Sequence, residues 1–399
     1  MGLGSSEGIA SVQDSVFPTA VIIGAGKTGR GFIARLAASA GYRIVFADRS
    51  QELIERLTEE RGYTIHYFDS GRSPVQIQGV TAFQLHSEEA LLEIAAADTV
   101  FTAVGEQNLA SIGAALTKAA RLRQSLLPGK PLRILTCENG VAPGLVLRKA
   151  LSKAMETMEA PAEPVPCIVS EAAVFCSTIE RENTKLDIMS EAYEELPYDA
   201  ETMEGSIGIT AMIPVYDFRK LLQRKIYTYN CISACIAYLG AFKSMESYAG
   251  AANDPDIRAV IERILGPLNR AIACRLDVEL SEQERFAERA IRKFSDRSIQ
   301  DSIERNARDV IRKLGSNERL VAPALWIMDN ADDIDGLALV IAAALYYYDP
   351  INGLNAFMLA SGLDKDHMLT RKSKRFLELL LNADNRAAGL FAGLINTAK

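Results

Sequence analysis

The sequence predicts two parts: an α/β N-terminal domain on a parallel sheet, and a mostly α-helical C-terminal domain. Three observations carry that expectation. Short apolar runs alternate with helix-patterned segments as far as Val174, which calls for parallel strands covered by helices on both faces. A glycine-rich turn joins the first apolar run to the first helical segment. From Phe218 onward the pattern is helical almost throughout, with punctuation at Asp254-Pro255, Gly266-Pro267, Gly315-Ser316, Asp349-Pro350 and Gly362.

Taken in order, residues 20–23 form the first strand-like run, and a helix follows the glycines to residue 40. A second strand covers 43–47 and a helix 51–61. Residues 64–68 and 75–85 read as strands and 88–97 as a helix. Then come a strand at 99–104, a helix at 109–126, a buried strand at 132–137 and a helix at 143–159. Strands at 166–174 and 207–214 complete the α/β part. The polar stretch between Glu191 and Ser206 marks the division, giving a leader at 1–19, a dinucleotide-binding domain at 20–195 and a helical substrate domain at 196–399.

Composition narrows the class. Lys+Arg is 44 against Asp+Glu 51, and a net charge of −7 argues against a nucleic-acid partner. The longest apolar run, residues 337–348, is too short to span a bilayer. Residues 1–19 lack a basic and then apolar signal and read as a mobile leader. Cysteines 137, 167, 176, 231, 235 and 274 form no CxxC and no zinc spacing, so no metal is expected and they read as buried thiols of a reducing, cytoplasmic compartment. Nothing in the sequence fixes an oligomeric state.

The turn VIIGAGKTGRGF places Gly24, Gly26 and Gly29 as GxGxxG between strand and helix. Gly24 permits the tight turn, Gly26 lets backbone N–H groups approach a pyrophosphate, and Gly29 lets helix and strand pack closely. Lys27, Thr28 and Arg30 share this turn and the first helical turn; Arg30 is either a further cofactor contact or a solvated charge. Asp48 ends the second strand, 24 residues after Gly24, where a carboxylate accepts hydrogen bonds from the adenosine ribose. That carboxylate favours NAD over NADP, while the adjacent Arg49 offers a charge that a 2′-phosphate could meet. A second cofactor-side segment is Thr102, Ala103, Val104 and Gly105, at a strand's carboxyl end. Asn139, in Cys137-Glu138-Asn139-Gly140 after the next strand, is either an amide donor to substrate or a turn asparagine.

The helical domain opens with QRKIYTYNCISACIAYLG. Asn230 and Ser233 share a helix face, and Lys225 lies about 80° from Ser233 on an α-helix. The three are positioned to converge on one pocket. Oxidising an alcohol needs a base for the hydroxyl proton and donors for the developing alkoxide, and a lysine serves as base once burial and a nearby cation lower its pKa. On residues alone the plainer reading of Lys225 is a snorkelling surface lysine beside Arg224.

With these motifs in order, the chain resembles the polyol-specific long-chain dehydrogenases, the mannitol dehydrogenase family, over roughly residues 20 to 385. The matching segments are GAGKTGRGFIARLAA from Gly24, FAD ending at Asp48, TAVG from Thr102, CEN ending at Asn139, RKxxTxN from Arg224 to Asn230, AYLG ending at Gly240, and RKL from Arg312. The resemblance implies a Rossmann domain, a helical C-terminal domain and an active site in the cleft between them. It implies zinc-independent, NAD-dependent hydride transfer between a polyol or polyol phosphate and its ketose, with mannitol 1-phosphate and fructose 6-phosphate as the leading pair. It places the general base on Lys225 and the oxygen-holding amides on Asn139 and Asn230.

Three positions depart from the family pattern. The motif Lys-x4-Asn-x2-His ends here in Ser233, and only His66, His86 and His367 exist in the chain. Phe175 and Cys176 stand where an Asp-Arg pair is usual, and Asp296-Arg297 where Asn-Pro is frequent. These keep open a hexuronate reductase-type or other polyol dehydrogenase, and a catalytically impaired NAD-binding sensor. Phosphate recognition needs clustered cations, and Arg305, Arg308 and Arg312 are spaced to share one face of a continuous helix; Ser233, Arg305 and Arg308 are therefore the expected substrate-side residues.

Overall fold

The computed structural model describes residues 17–69, 71–157 and 167–398. Most of the expected leader, and the ends of the elements expected at 143–159 and 166–174, lie outside the described residues.

Among the described residues, twelve strands precede the helical region: β1 Thr19–Ile23, β2 Arg43–Asp48, β3 Gly62–Tyr67, β4 Val75–Gln78, β5 Thr81–Gln84, β6 Thr99–Thr102, β7 Leu132–Thr136, β8 Cys167–Glu171, β9 Thr178–Glu180, β10 Ile188–Ser190, β11 Leu196–Asp199 and β12 Met212–Val215. Six of them form a parallel sheet in the order β5-β2-β1-β6-β7-β8. Strand β1 shows why both faces must be covered. Ala20 and Ile22 join one buried cluster, with Phe32 and Phe46; Val21 and Ile23 join another, with Ile94, Leu116 and Leu147. A strand buried on both sides reads as an unbroken apolar run, as this one does.

The run expected as one strand at 75–85 is two strands in two sheets. Gly79, at φ +69°, turns the chain between them. β4 pairs with β3 in a four-stranded sheet, β4-β3-β10-β9, whereas β5 joins the edge of the main sheet beside β2. The small sheet rests on the first helical segment, where Gly31 permits contact: a Cβ there would lie 2.4 Å from Ile188.

The division between the halves falls later than expected. Leu196, Tyr198, Met203, Ile207, Ile209 and Met212 are buried in the N-terminal core, so 196–212 belongs to that domain by packing. The helical domain begins at Phe218. Its core centres on the helices Cys231–Phe242 and Asp335–Tyr348, and burial of residues 337–345 there explains their uniformly apolar character. Among the described residues, no helix is long and apolar enough to span one. Gly266-Pro267 does not end its helix: Pro255–Leu276 runs through it, held by buried Ile264, Leu268 and Ile272. Asp254 does cap that helix, accepting from the Asp256 and Ile257 N–H groups.

Close approach at Gly29 is a testable constraint. A Cβ on Gly29 would fall 2.1 Å from the Gly24 carbonyl oxygen. Gly29→Ala is expected to cost at least about 1–3 kcal/mol through forced backbone movement, read as a lowered melting temperature by circular dichroism. Gly26→Ala, whose Cβ meets nothing within 4 Å, is expected to melt like the parent chain.

Candidate active site

The main sheet changes direction between β1 and β6, because the chain runs to β5 on one side before returning to build β6 to β8 on the other. Loops leaving adjacent strands at such a point diverge and open a crevice. Gly24 follows β1 at φ +100°, and a Cβ there would lie 2.5 Å from the Ala103 carbonyl oxygen at the end of β6. Gly26 sits over open space, the cradle a side chain would fill. Asp48 closes the turn: Oδ2 accepts from the Ala25 N–H at 2.7 Å and Oδ1 from the Ser50 N–H at 2.8 Å. Each oxygen keeps acceptor capacity for a ribose hydroxyl. Arg49 is exposed beside it. These residues fit a dinucleotide.

Arg30 is neither solvated nor aimed at the crevice. Only 2% of it is exposed. It donates to the carbonyls of Ala25, at 2.7 Å, and Leu186, so it bolts the glycine turn to the loop before β10. Burial lowers its pKa. Its four-residue spacing from Gly26 sets its N–H on the Gly26 carbonyl, but the helix widens at Gly29–Ile33 and carries the side chain under the turn. Lys27 lines an open groove of about 810 Å³ with Glu180, Arg181 and Arg297, and Thr28 reaches the inner cavity described next.

Lys225 is buried at the start of a wide turn, Ile226–Asn230, closed by the Cys231 N–H on the Ile226 carbonyl five residues back. On a regular α-helix, residues five apart point about 140° away from each other. The wide turn brings Asn230 round, and Lys225, Asn230, Ser233 and Asn139 line one cavity of about 180 Å³. The Lys225 Nζ donates to Asn139 Oδ1 at 3.0 Å across the domain boundary. Phe175 covers the amine, its ring centroid 5.5 Å from Nζ, and packs edge-on against Tyr229 and Phe286. Burial, then the charges of Lys293 and Arg319, pull the Lys225 pKa down to about 7. The surface-lysine reading is thereby excluded.

A second cavity, about 200 Å³, shares Asn139, Asn230, Ser233 and Arg305 with the first and adds Arg308, Arg312, Lys313 and Arg319. The continuous helix expected here does not exist. Ile303–Ala307 ends at an extended Arg308, Asp309 stands at φ +59°, and Val310–Lys313 starts a new helix. The break, rather than a shared helix face, sets Arg305, Arg308 and Arg312 around one space. Arg305 is held by Asp301 at 3.0 Å, and Arg312 and Arg319 by Glu318 at 3.3 and 3.1 Å. Lys313 donates to the Asn306 carbonyl at 2.6 Å, and burial followed by Arg319 and Arg312 lowers its pKa to about 7. Ser233 Oγ accepts from the Tyr248 hydroxyl at 2.9 Å. None of the three histidines lines either cavity, and among the described residues no group of three or more His, Cys, Asp or Glu could hold a metal ion.

Sequence reasoning missed four participants. Lys313 lay inside the recognised RKL segment without an assigned role. Glu138 sat next to Asn139; its carboxylate accepts from Thr102 Oγ1 and from the Val104 and Gly105 N–H groups. Lys293 and Arg319 come from distant helical segments with no local signal.

A parallel sheet with a dinucleotide-type crevice, facing a buried low-pKa lysine on a helical domain, defines a dehydrogenase of the Rossmann class. The chain matches the mannitol dehydrogenase Rossmann domain over residues 18–194 and the mannitol dehydrogenase C-terminal domain over residues 217–367. It is 31% identical to a mannitol-1-phosphate 5-dehydrogenase of Brevibacillus brevis, over 86% of this chain and 89% of that one. It is 29% identical to the enzyme of that name from Caldanaerobacter subterraneus, over 90% and 98% of the two chains. Among solved structures, the Pseudomonas fluorescens mannitol 2-dehydrogenase ternary complex with NAD and D-mannitol superposes with a TM-score of 0.72 at 15% identity, over 96% of this chain and 94% of that one. A substrate-free D-sorbitol dehydrogenase superposes at 0.70 and 16% identity, over 96% of both. This chain belongs to the mannitol dehydrogenase family.

The site's electrostatics give a signed prediction. Lys293 lowers the Lys225 pKa through its charge and is itself paired with Glu191 at 2.7 Å. Lys293→Met removes that positive charge and leaves Glu191 unpaired, and both changes favour the Lys225 ammonium. The ionisation seen in the pH profile of turnover is expected to move upward from near 7; an unchanged or lower value would contradict the assignment.

Proposed function

We propose that this chain is an NAD-dependent dehydrogenase that interconverts a polyol phosphate and its ketose phosphate, with mannitol 1-phosphate and fructose 6-phosphate as the leading pair. The observation that carries this reading is a pair of adjoining cavities with shared walls. A buried lysine 3.0 Å from an amide lies at the sheet's carboxyl ends, and the cationic cavity opens beside it through shared Asn139 and Asn230. NAD, when bound on the Gly24–Gly29 turn with its ribose on Asp48, supplies the hydride acceptor or donor.

The protein residues handle the oxygen and its proton. In oxidation the neutral Lys225 amine takes the hydroxyl proton, and in reduction the ammonium returns it; a pKa near 7 suits both directions at neutral pH. Amide N–H groups of Asn139 and Asn230 donate to the same oxygen as charge develops on it. The Phe175 and Tyr229 rings keep water from the amine. Arg305, Arg308 and Arg312, with Lys313 in the same cavity, hold the phosphate. The cationic cavity also suits a carboxylate, which favours a hexuronate as the second reading.

Assays with NADH and a panel of fructose 6-phosphate, fructose, fructuronate and tagaturonate separate these readings. Fructose 6-phosphate is expected to turn over best, and Arg312→Ala to raise its KM by about 10-fold or more while changing fructose turnover little. NADH binding without turnover of any ketose would leave only a sensor. Lys225→Ala is expected to lower kcat about 10²- to 10⁴-fold. In the parent chain, kcat/KM for oxidation is expected to rise with pH through about 7 as the amine loses its proton, and that for reduction to fall.

A further inference from the structure

Glu138 is a buried carboxylate with an unusual set of partners. It is 3% exposed. Its Oε1 accepts from Thr102 Oγ1 at 3.0 Å and the Val104 N–H at 2.9 Å, and its Oε2 accepts from the Gly105 N–H at 2.8 Å. Among the described residues, no lysine, arginine or histidine forms an ion pair with it. Burial raises its pKa, and the three neutral donors pull the other way by favouring the carboxylate. A buried carboxylate without a counter-charge is costly to keep for packing alone.

Its position in the chain shows what the three bonds connect. Glu138 follows β7, and its donors run from Thr102, the last residue of β6, into the loop that follows that strand. Those two loops already meet where the Cys137 N–H donates to the Thr102 carbonyl at 2.9 Å. On one side, the β6 loop touches the glycine turn at Gly24 through Ala103. On the other, Asn139 follows Glu138 directly and faces Lys225. One side chain thus ties the cofactor-side loop to the substrate-side amide.

We propose that Glu138 is a positioning residue that fixes the distance between the Thr102–Gly105 loop and the Asn139 amide. The proposal rests on the reading of the site as a dehydrogenase. It requires a carboxylate and not merely a side chain of that shape. Glutamine in the same place can offer its oxygen to Thr102 and Val104, but its amide N–H would then meet the Gly105 N–H, donor against donor. The loop must shift, and the Asn139 amide with it.

The test compares four proteins: the parent, Glu138→Gln, Thr102→Val and Thr102→Ser. Each is followed by NADH fluorescence titration, steady-state reduction of fructose 6-phosphate, and thermal melting to confirm a folded state at the assay temperature. Glu138→Gln is expected to lower kcat about 10- to 100-fold and to weaken NADH binding about 10-fold. The KM for fructose 6-phosphate, set by the cationic cavity, should move less than about 3-fold. Thr102→Val removes one donor and should give a smaller loss of the same kind, and Thr102→Ser, which keeps the hydroxyl, should recover most of it. A folded Glu138→Gln protein with parental kcat and NADH affinity overturns the proposal. If Glu138→Gln does not fold, equal behaviour of Thr102→Val and Thr102→Ser overturns it instead. A parent chain that fails to bind NADH sinks the dehydrogenase reading and this proposal together; a parent that binds and turns over, with indifferent variants, sinks this proposal alone.

Discussion

The site depends on keeping one amine out of water. Among the described residues Lys225 has no carboxylate partner; it has an amide oxygen at 3.0 Å, an aromatic ring above it and two cationic residues whose charge opposes its own. Burial and like charge both favour the neutral form, which is the form that can accept a proton. Much of the surrounding structure serves that condition. The wide turn after Lys225 rotates Asn230 into the same cavity, and Phe175 reaches from the N-terminal domain into the helical core to seal it. The Phe175 ring covers the amine and contributes to its desolvation.

The two domains divide the labour by their geometry. A parallel sheet that reverses its strand order supplies a crevice at its carboxyl edge, where Gly24 and Ala103 come together and Asp48 closes the glycine turn, whereas Arg30 is turned under that turn and Lys27 lines a separate groove. The helical domain supplies charge. Its cations are not free: Arg305, Arg312 and Arg319 are each held by a carboxylate, so they are oriented before any ligand arrives. Preorganised donors lose less entropy on binding than mobile ones. Ser233, in place of the usual histidine, sits where the two cavities join and takes its orientation from Tyr248.

Much of the architecture was legible because it rests on local periodicity. β1, β2, β6 and β7 announce themselves as short, apolar-rich runs, and the helix Leu109–Leu126 has the expected bounds. The glycine turn was legible because each glycine answers a steric demand. What escaped depended on tertiary contact. Gly79 splits one apparent strand into two because the pieces find partners in different sheets. The polar stretch 191–206 reads as a boundary, yet Leu196, Tyr198 and Met203 within it are buried in the N-terminal core. The turn at Arg308-Asp309 has no proline or glycine to mark it, and a widened helical turn leaves no trace in a 3.6-residue pattern. Arg30 reads as surface charge until the loop before β10 is seen to lie over it.

The charge state of Lys225 is therefore the central quantity, and it can be titrated directly. Lysine side chains labelled with ¹⁵N report Nζ protonation by NMR, and the Lys225 signal is identified by its absence in Lys225→Arg. The structure calls for a Lys225 midpoint near 7, well below the ordinary lysine value of about 10.4. An Nζ that stays protonated through pH 9 would contradict the account, because a permanent ammonium could not take the proton from an alcohol.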